Sequence, residues 1–489
     1  MVPMRVMVLN PPSVYSKNVV RDLVYGCWCK GKRIASAQFP PLSLLYIASM
    51  LEKEGHDIIF LDAQTEGKSL AQVEEIASER RPEIIIMPTS TMSFREDAKT
   101  LELLKKASGA VSLVYGSHVT FLPKVSLGQK GIDYIAMREP EFIIRDFVNA
   151  MGKGTGHEKV NGIGYRKGGK AVINPPYPFI QNLDDLPFPD RRHISKFTYF
   201  NPLVKRIHWT AAMTSRGCPG RCLFCSSPNF YGNTLRMRSA KNVVDELEDI
   251  RGLGYEEVFF RDETFTAHRK RVEEICNLMI ERGLNLTWIC NARVDTVDKE
   301  LLTLMKKAGC HLIKFGVESG VQQILDNINK MIRVEMTRKT FRWAHEVGME
   351  THAHMMLGCI GETKETIKKT MKFIKQLDPT TVTFGAFTPY PGTKIFDIVT
   401  KEKPEIGDGS SCDLSKLHTS GFYNYVFCDL TENEIGEAVF NAYRQFYLRP
   451  SYIIKRLMSV RSPTQMRRLI FAGLEVLSFT MNRGGGDVE

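Results

Sequence analysis

The stretch S-R-G-C-P-G-R-C-L-F-C-S-S, residues 215 to 227, contains the most informative feature of this chain. Its three cysteines, Cys218, Cys222 and Cys225, have the spacing C-x3-C-x2-C, so their thiolates can bind one metal centre. No fourth cysteine lies nearby, because the next one along the chain, Cys276, is a single residue on a separate predicted element. The motif therefore supplies three sulfur ligands and lacks a fourth.

Three ligands and one open position favour a reactive iron–sulfur centre. A four-iron cluster takes one thiolate per iron, so three cysteines leave one iron open to a substrate or cofactor. A structural zinc site normally has two Cys or Cys/His pairs separated by a loop, and a closed ferredoxin site has its fourth cysteine close by. Zinc or inert cysteines are the alternatives at this point.

Short apolar runs alternate with amphipathic helical stretches after the motif. Such alternation favours parallel strands with right-handed crossovers, and six units predict a partial (β/α)6 barrel. Chemistry in such barrels lies at the carboxyl ends of the strands, where Cys218 follows Thr214 almost at once. The runs are T-A-A-M-T before the motif, then E-V-F-F from 257, L-T-W-I-C from 286, L-I-K-F-G from 312, T-H-A-H-M-M-L from 351 and V-T-F-G-A-F from 382.

The cysteine triplet in its strand–loop–helix setting resembles the radical S-adenosylmethionine (SAM) superfamily over roughly residues 205 to 400. The resemblance implies a [4Fe-4S] cluster on the three cysteines, with SAM chelated to the open iron through its amino and carboxylate groups. Phe224, the aromatic residue before the third cysteine, also matches the motif and is expected to contact the cofactor.

The resemblance also assigns residues after the second to fourth barrel strands. Asp262 or Glu263 stands where the family receives the SAM amino group, although Gly-Gly-Glu is absent here and an acidic helix start is the alternative. Arg293, in N-A-R-V-D, can hold the SAM carboxylate with two N–H donors or form a surface ion pair. Glu318, between the glycines of G-V-E-S-G, matches the position that binds SAM ribose hydroxyls or the amino group.

The last two strands carry further candidates. The element G-C-I-G-E-T resembles the family's G-x-P-G-E-T, which implies that Gly358 and Ile360, the latter in place of the usual Pro, line the adenine. His352 and His354 lie on one face of a strand and are predicted to be buried and hydrogen-bonded rather than catalytic. Tyr390, in T-P-Y-P-G-T, is the candidate catalytic residue reaching the substrate, although Pro-Gly equally suits a plain turn.

Residues 1 to 153 form a separate predicted domain. Five apolar runs alternate with amphipathic stretches, which predicts an open, doubly wound parallel sheet that binds a ligand at the carboxyl ends of its strands. Asn10-Pro11-Pro12 follows the first strand in place of G-x-G-x-x-G, and proline removes amide donors that a dinucleotide phosphate needs. The runs are R-V-M-V-L-N from 5, D-I-I-F-L-D from 57, E-I-I-I-M-P from 83, V-S-L-V-Y-G from 111 and D-Y-I-A-M from 133.

This domain resembles the cobalamin-binding domain that precedes many radical SAM cores. The resemblance rests on N-P-P from residue 10, P-P-L-S-L-L-Y-I-A from residue 40, the polar tip T-S-T from residue 89 and G-S-H-V-T-F from residue 116. It implies that cobalamin is held without a lower His ligand, because D-x-H-x-x-G is missing; a domain of this shape without cobalamin is the alternative. The residues expected to contact cobalamin are Pro11, Ser90, Thr91, Gly116 and His118.

Two further segments complete the predicted organisation. Residues 154 to 205 are predicted to form a hairpin, turning at Gly168-Gly169, and a proline-stiffened linker, followed by the barrel over 206 to 400. Residues 401 to 489 are predicted to be a helical C-terminal region. Within it, 449 to 483 is a basic, apolar-striped tail of the kind that favours an anionic membrane surface, or else a helix pair packed on the core.

Composition limits the class of protein. The chain has 489 residues, 43% apolar content, 25% charged content and a net charge of +11, which are ordinary for a globular protein of two or three domains. No run of about 18 apolar residues indicates a membrane span, and no signal peptide is evident. The 11 cysteines show no disulfide framework, so we expect a reducing, cytoplasmic location, with the tail as a candidate for membrane association.

These observations favour a cobalamin-dependent radical SAM methyltransferase acting on an unactivated carbon of a hydrophobic small molecule or lipid. The alternatives are a related enzyme that closes a ring or joins two carbons on a tetrapyrrole or isoprenoid lipid, and a non-catalytic iron–sulfur or cobalamin-binding protein. The expected partner is an electron donor, a reductase, flavodoxin or ferredoxin. Nucleic acid is not expected, because no nucleic-acid-binding fold accompanies the positive charge.

Overall fold

The computed structural model describes residues 2–14, 16–17, 19–23, 31–32, 37–409 and 423–460, together with 466–467, 469–471, 473–474 and 477. The chain forms two α/β units, each built on a parallel sheet, and ends in helices that pack on the second unit. The predicted fold class is confirmed.

The N-terminal sheet is doubly wound. Its five parallel strands lie in the order β2-β1-β3-β4-β5, and the topological switch point, where the strand order reverses, lies between β1 and β3. The strands are β1 (Arg5–Asn10), β2 (Asp57–Asp62), β3 (Ile84–Pro88), β4 (Val111–Tyr115) and β5 (Tyr134–Ala136). The helices are α1 (Leu42–Lys53), α2 (Leu70–Arg80), α3 (Phe94–Ser108), α4 (Ser117–Phe121), α5 (Pro123–Leu127) and α6 (Pro140–Gly152).

The hairpin predicted to join the domains is part of the N-terminal sheet. Strand β6 (Ile163–Lys167) pairs antiparallel with β5, and β7 (Lys170–Ile173) pairs with β6. Ile163 and Tyr165 pack into the core beneath the sheet, so apolar burial fixes the hairpin at this edge. The hairpin predicted to turn at Gly168-Gly169 is therefore confirmed, and the linker follows it after Ile173.

The second unit is a six-stranded, fully parallel sheet in sequential order, as the predicted (β/α)6 barrel requires. The strands are β8 (Trp209–Ala212), β9 (Glu257–Phe260), β10 (Thr287–Ala292), β11 (Cys310–Glu318), β12 (Glu350–Leu357) and β13 (Thr381–Ala386). The helices are α7 (Ser227–Tyr231), α8 (Ala240–Gly252), α9 (Arg269–Glu281), α10 (Lys299–Lys307), α11 (Gln322–Asn327), α12 (Val334–Glu346), α13 (Lys364–Leu377) and α14 (Lys394–Glu402).

The C-terminal helices complete the barrel core. In α15 (Glu432–Tyr447), Tyr443 and Phe446 are buried in the same apolar cluster as the barrel strands. Tyr443 accepts a hydrogen bond from the Phe384 N–H in the last strand, at 3.2 Å. Helix α16 (Pro450–Met458) follows. Among the described residues, no helix is both long enough and apolar enough to cross a membrane.

The carboxyl ends of the two sheets face each other. The loop after β13 contacts the N-terminal unit: the Tyr390 hydroxyl lies 3.8 Å from Met92 Sδ, in the loop after β3. In the same loop, a Cβ at Gly392 would lie 2.3 Å from a Phe121 ring carbon. Ligands bound at the strand ends of the two units would therefore lie on either side of one space.

Candidate active site

A small antiparallel ladder closes the base of the cysteine loop. Ser215 and Arg216 pair with Met237 and Arg236, so the chain leaves and re-enters the barrel side by side. Gly217 follows with φ +84°, and a Cβ there would lie 2.5 Å from the Thr234 carbonyl oxygen. Only glycine allows this close turn, which presents Cys218 immediately after it.

The sulfurs of Cys218 and Cys222 both lie close to Gly220. A Cβ on Gly220 would lie 3.4 Å from Cys218 Sγ and 3.9 Å from Cys222 Sγ, and the Gly220 N–H donates to Cys218 Sγ at 3.4 Å. Burial raises the pKa of the Cys222 thiol, and it raises that of Cys225 to about 12. A bound metal would counter this effect, because it stabilises the thiolate form.

The sulfur spacing does not suit a single zinc ion. Within the described part of the chain, one set of three Cys, His, Asp or Glu side chains has ligand atoms that all lie within 4.8 Å of one another, and it is Glu52, Asp190 and His193. The three cysteines do not form such a set. Four ligands at about 2.3 Å from zinc would place the sulfurs only about 3.8 Å apart. The cysteine triplet is more widely spaced, as separate irons of one cluster require.

The two acidic residues after β9 have different environments. Asp262 is fully buried and accepts hydrogen bonds from Thr214 N and Oγ1, at 2.7 and 2.5 Å, and from Ser215 Oγ at 2.5 Å. Its carboxylate thus anchors the end of the first barrel strand. Glu263 has one buried carboxyl oxygen, Oε1, without a hydrogen-bond partner, and burial raises its pKa to about 8. An unsatisfied buried oxygen favours a cationic ligand at Glu263.

Arg293 lies next to the cysteine loop. Its guanidinium donates to both oxygens of Asp295, at 2.9 and 2.8 Å, which fixes its orientation. The free edge points toward the loop, since Nη1 lies 3.3 Å from the Cβ position of Gly220. Arg293 thus places a fixed positive charge beside the thiols.

Glu318 forms a buried ion pair that the sequence did not reveal. Its Oε1 lies 2.6 Å from the Lys330 Nζ, and both side chains are buried. Glu318 has φ +64°, a strained conformation for a residue with a Cβ, and such strain concentrates at functional sites. The Lys330 Nζ also lies 5.9 Å from the centre of the Phe224 ring. Lys330 follows the short helix α11 and belongs to no recognisable motif, so the sequence did not indicate that it lies in the site.

Phe224 and Ile360 lie in one partly exposed apolar cluster, around buried Cys359, Phe387 and Ile395. The structure therefore brings together the two apolar residues predicted to contact SAM. Gly358 also borders the C-terminal region: a Cβ there would lie 2.7 Å from Ile435 Cδ1 in α15, and the Gly358 carbonyl accepts from the buried Asn424 amide at 2.8 Å. This glycine allows the C-terminal region to approach the barrel.

A buried hydrogen-bond network shapes the edge of the N-terminal sheet. Asp97 accepts from Ser93 Oγ at 2.6 Å, and Ser93 Oγ in turn lies 2.9 Å from Ser90 Oγ. The Arg21 guanidinium pairs with Asp97 and donates to the Pro11 carbonyl oxygen at 3.1 Å. The network thus links the loops after β1 and β3, and Thr91 remains half-buried at their tip.

Gly116 and His118 lie on the neighbouring strand end. Gly116 has φ +125°, and a Cβ there would lie 2.3 Å from the Thr89 carbonyl oxygen. His118 is buried and stacks on Phe94 with ring centres 3.9 Å apart, and neither ring nitrogen has a hydrogen-bond partner. Burial lowers its pKa to about 3, so the imidazole is neutral.

Tyr390 lies between the two units. It packs with Val19, Met92 and Leu122 of the N-terminal unit. Its hydroxyl donates to Met92 Sδ at 3.8 Å. The structure therefore places Tyr390 on the barrel side of the space between the two sets of strand ends. His352 and His354 are hydrogen-bonded to threonine hydroxyls, as predicted.

Comparisons with known proteins identify both units. The radical SAM superfamily profile matches residues 213–374, and the B12 binding domain profile matches residues 35–147. An uncharacterized methyltransferase of Pyrococcus horikoshii is 32% identical over 435 residues, covering 87% of this chain and 91% of that protein. The anaerobic magnesium-protoporphyrin IX monomethyl ester cyclase of Rubrivivax gelatinosus is 31% identical over 444 residues, covering 86% of this chain and 76% of that protein.

Solved structures show the same arrangement. The cobalamin-dependent SAM radical enzyme OxsB, with aqua-cobalamin and SAM bound, matches with a TM-score of 0.71 at 18% identity, covering 97% of this chain and 72% of that chain. The radical SAM methyltransferase TsrM from Kitasatospora setae matches with a TM-score of 0.65 at 19% identity, covering 81% and 76%. At this identity, both likenesses show the fold.

The fold and the three-cysteine loop define a radical SAM enzyme with an N-terminal B12-binding domain. This chain belongs to the cobalamin-dependent radical SAM family. The family, the fold class and the cofactor set predicted from the sequence, a [4Fe-4S] cluster, SAM and cobalamin, are confirmed at this level.

Proposed function

We propose that this protein is a methyltransferase that uses a radical SAM cluster and cobalamin to methylate an unactivated carbon of a small molecule. The observation that carries the proposal is the position of the cysteine loop, which follows the first barrel strand and is joined to the B12-binding domain through Arg216, Glu139 and Glu141. A chain that only stored electrons or bound cobalamin would need neither this juxtaposition nor the buried groups around the loop.

Each cofactor has a matching set of residues. The donor set of Cys218, Cys222 and Cys225 suits a cluster with one open iron. When bound, the cluster and SAM supply a 5′-deoxyadenosyl radical, and cobalamin supplies the methyl group. On the N-terminal edge, Gly116 lets the loops after β3 and β4 approach closely, because a Cβ there would lie 2.3 Å from the Thr89 carbonyl oxygen.

The protein's own residues bind and orient SAM in this proposal. The unsatisfied Glu263 oxygen accepts the SAM amino group, a role that the fully hydrogen-bonded Asp262 cannot share. Arg293, held by Asp295, attracts the SAM carboxylate. Glu318 and Lys330 hold the ribose side, while Phe224 and Ile360 cover the adenine.

Cobalamin is proposed to contact Pro11, Ser90, Thr91, Gly116 and His118 on the N-terminal edge. Tyr390, on the opposite side, is the proposed substrate-facing residue, and its phenol can donate a hydrogen bond to a substrate oxygen or move a proton. Protein reconstituted with hydroxocobalamin should retain it through gel filtration, with a spectrum that lacks a His-ligated signature. Failure to bind cobalamin while SAM cleavage proceeds would refute this assignment.

The substrate can be found by product analysis. Anaerobic protein, SAM labelled with a trideuterated methyl group, a reductant and cell extract should yield a product 17 mass units heavier than its precursor, because CD₃ replaces H. A product that carries no label and has lost hydrogen would instead support ring closure. That second candidate is favoured by the 31% identity to the cyclase of Rubrivivax gelatinosus.

Electrons must reach the cluster from outside, and we propose a reductase, flavodoxin or ferredoxin as the donor. In anaerobic assays, a reduced flavodoxin should replace dithionite in SAM cleavage. A donor that binds but leaves SAM intact would contradict this proposal.

We also propose that the C-terminal tail contacts an anionic membrane, where a hydrophobic substrate would be collected. In α16, Tyr452 is buried and donates to the Thr380 carbonyl at 3.0 Å, whereas Ile454 and Met458 are 57% and 78% exposed. Basic Arg456 lies on the same helix, and each such charge contributes about 1 kcal/mol near an anionic surface.

Within the predicted tail, 449 to 483, some residues lie outside the described part of the chain, among them Arg461, Arg468, Glu475, Phe479 and Arg483. Liposome flotation tests the tail: binding should require anionic lipid, weaken with salt and disappear in the variant Ile454→Ser/Met458→Ser. If the intact protein does not float with anionic vesicles, the membrane proposal is refuted and a water-soluble substrate is favoured.

A further inference from the structure

A polar layer crosses the inside of the barrel above an apolar floor. The floor residues Phe259, Ile289 and Leu312 lie side by side in neighbouring strands and pack together. Side chains two residues further along each strand point to the same side. These side chains are Arg261, Asn291 and Lys314, and His352 and Thr381 lie in register with Lys314 on the next two strands. The five residues are here called the polar layer.

Two members of the polar layer are cations that lie over the same aromatic ring. The Lys314 Nζ is 4.7 Å from the centre of the Phe259 ring. The Arg261 guanidinium is 5.8 Å from that centre and 4.5 Å from the centre of the Phe39 ring. None of the five residues of the layer is acidic, and two of them, Arg261 and Lys314, are basic.

Two imidazoles border the cations. His352 Nδ1 lies 2.7 Å from Thr381 Oγ1, and His354 Nδ1 lies 2.8 Å from Thr383 Oγ1. Burial, together with the nearby Lys314 ammonium, lowers the pKa of both histidines well below its ordinary value. The imidazoles are therefore neutral hydrogen-bonding groups that add no charge of their own.

The layer has room above it and leads to the proposed SAM site. Lys314 and His354, on inner strands, and Thr383, on the last strand, are only partly buried. A Cβ at Gly385 would meet no atom within 4 Å, which shows open space beside them. Gly316, in register with His354, has its Cβ position 2.5 Å from Glu318 Oε1, so the layer lies directly below the Glu318–Lys330 pair.

We infer that the polar layer binds an anionic group of the substrate, a carboxylate or a phosphate, and so holds the carbon to be methylated above it. This inference rests on the proposed function, because it assumes that the barrel interior receives the substrate. Lys314 and Arg261 would bind the anion, and Asn291 and His354 would donate further hydrogen bonds. An apolar floor beneath the anion keeps water out and strengthens these contacts.

Titration calorimetry with two simple probes tests the inference. Protein reconstituted with the cluster, cobalamin and SAM is titrated with inorganic phosphate and, separately, with malonate at constant ionic strength. At least one probe should bind, and Lys314→Met should weaken that binding at least tenfold. Lys314→Arg should preserve it. Lys339→Met, which removes an exposed lysine of α12, is the matched control and should have no effect.

Each outcome decides the inference. Binding of phosphate alone, malonate alone or both, with loss in Lys314→Met, supports it and identifies the anion. No binding to the unchanged protein, or equal binding by Lys314→Met, overturns it. If Lys314→Met does not fold by circular dichroism, Arg261→Gln is judged by the same criterion. Absence of 5′-deoxyadenosine formation in the unchanged protein would refute the proposed function, whereas SAM cleavage without anion binding refutes only this inference.

Discussion

Replacement of Arg216 tests how the cysteine loop is held against the B12-binding domain. Arg216 directly precedes Gly217 and Cys218, and its guanidinium is almost fully buried. Its Nη2 donates to Glu141 Oε1 at 2.5 Å, and its Nη1 contacts Glu139 Oε1 at 3.1 Å, both at the start of α6. Arg236 on the other side of the ladder also contacts Glu139, at 2.8 Å. Two arginines and two glutamates thus join the loop to the N-terminal unit.

Arg216→Met should destabilise the protein strongly. Glu139 would keep Arg236, but Glu141 would remain buried without a cationic partner, and breaking a buried pair in this way costs about 3 to 5 kcal/mol. Lys241→Met is the control, because its partner Asp245 lies four residues away on an exposed helix face. Such pairs contribute about 0.3 to 0.5 kcal/mol.

Urea denaturation followed by far-UV circular dichroism measures both variants. The transition that includes the N-terminal unit should move to markedly lower urea in Arg216→Met and hardly move in Lys241→Met. Adding Glu141→Gln to Arg216→Met should recover part of the loss, since it removes the unpaired charge. Equal shifts for the two single variants, or no recovery in the double variant, would refute the reasoning.

Three further predictions follow from local geometry. Cys222→Ala should lose the reconstituted iron–sulfur spectrum and 5′-deoxyadenosine formation. Cys276→Ala, which changes a buried cysteine of α9, should retain the iron content of the unchanged protein. Gly116→Ala should lower the free energy of unfolding by at least 3 kcal/mol and abolish cobalamin binding, because its Cβ would clash with Thr89. Gly109→Ala, whose Cβ meets open space, should lower it by only about 1 kcal/mol. Similar melting temperatures for the two variants would contradict this prediction. Burial raises the pKa of Glu362 to about 7 in the folded protein. As the pH rises, the unfolded chain therefore loses this proton at a lower pH than the folded protein does. The free energy of unfolding should consequently fall by up to about 3 kcal/mol between pH 4.5 and 7.5. Glu362→Gln should flatten that slope in pH-dependent denaturation, and an unchanged slope would exclude Glu362 as its source.

The sequence predicted what depends on local spacing. The cysteine triplet and the alternating strands and helices are local patterns, so both the cluster motif and the two parallel sheets could be predicted. The hairpin from Ile163 to Ile173 was predicted, but its membership of the N-terminal sheet was not, because its pairing partner, β5, is recognised only in three dimensions. Adjacent Asp262 and Glu263 could not be distinguished, since which one anchors the strand depends on the hydrogen bonds from Thr214 and Ser215.

Long-range charge pairs were beyond sequence reasoning. Arg216 lies 75 residues from Glu141, and no local pattern joins them. Lys330 meets Glu318 only because the chain returns after α11. The role of Gly358 likewise depends on Ile435, which approaches from the C-terminal helix. In each case the partner is set by the packing of distant elements.

The most direct test of the central claim is the fate of a labelled methyl group. Protein reconstituted with the cluster and cobalamin is incubated anaerobically with SAM carrying a trideuterated methyl group and a reductant, and cobalamin and nucleosides are analysed by mass spectrometry. A cobalamin-dependent radical SAM methyltransferase should transfer the deuterated methyl group to cobalamin and also form 5′-deoxyadenosine. Cys222→Ala should lose the 5′-deoxyadenosine. Bound cobalamin that stays unlabelled while 5′-deoxyadenosine accumulates would contradict the account.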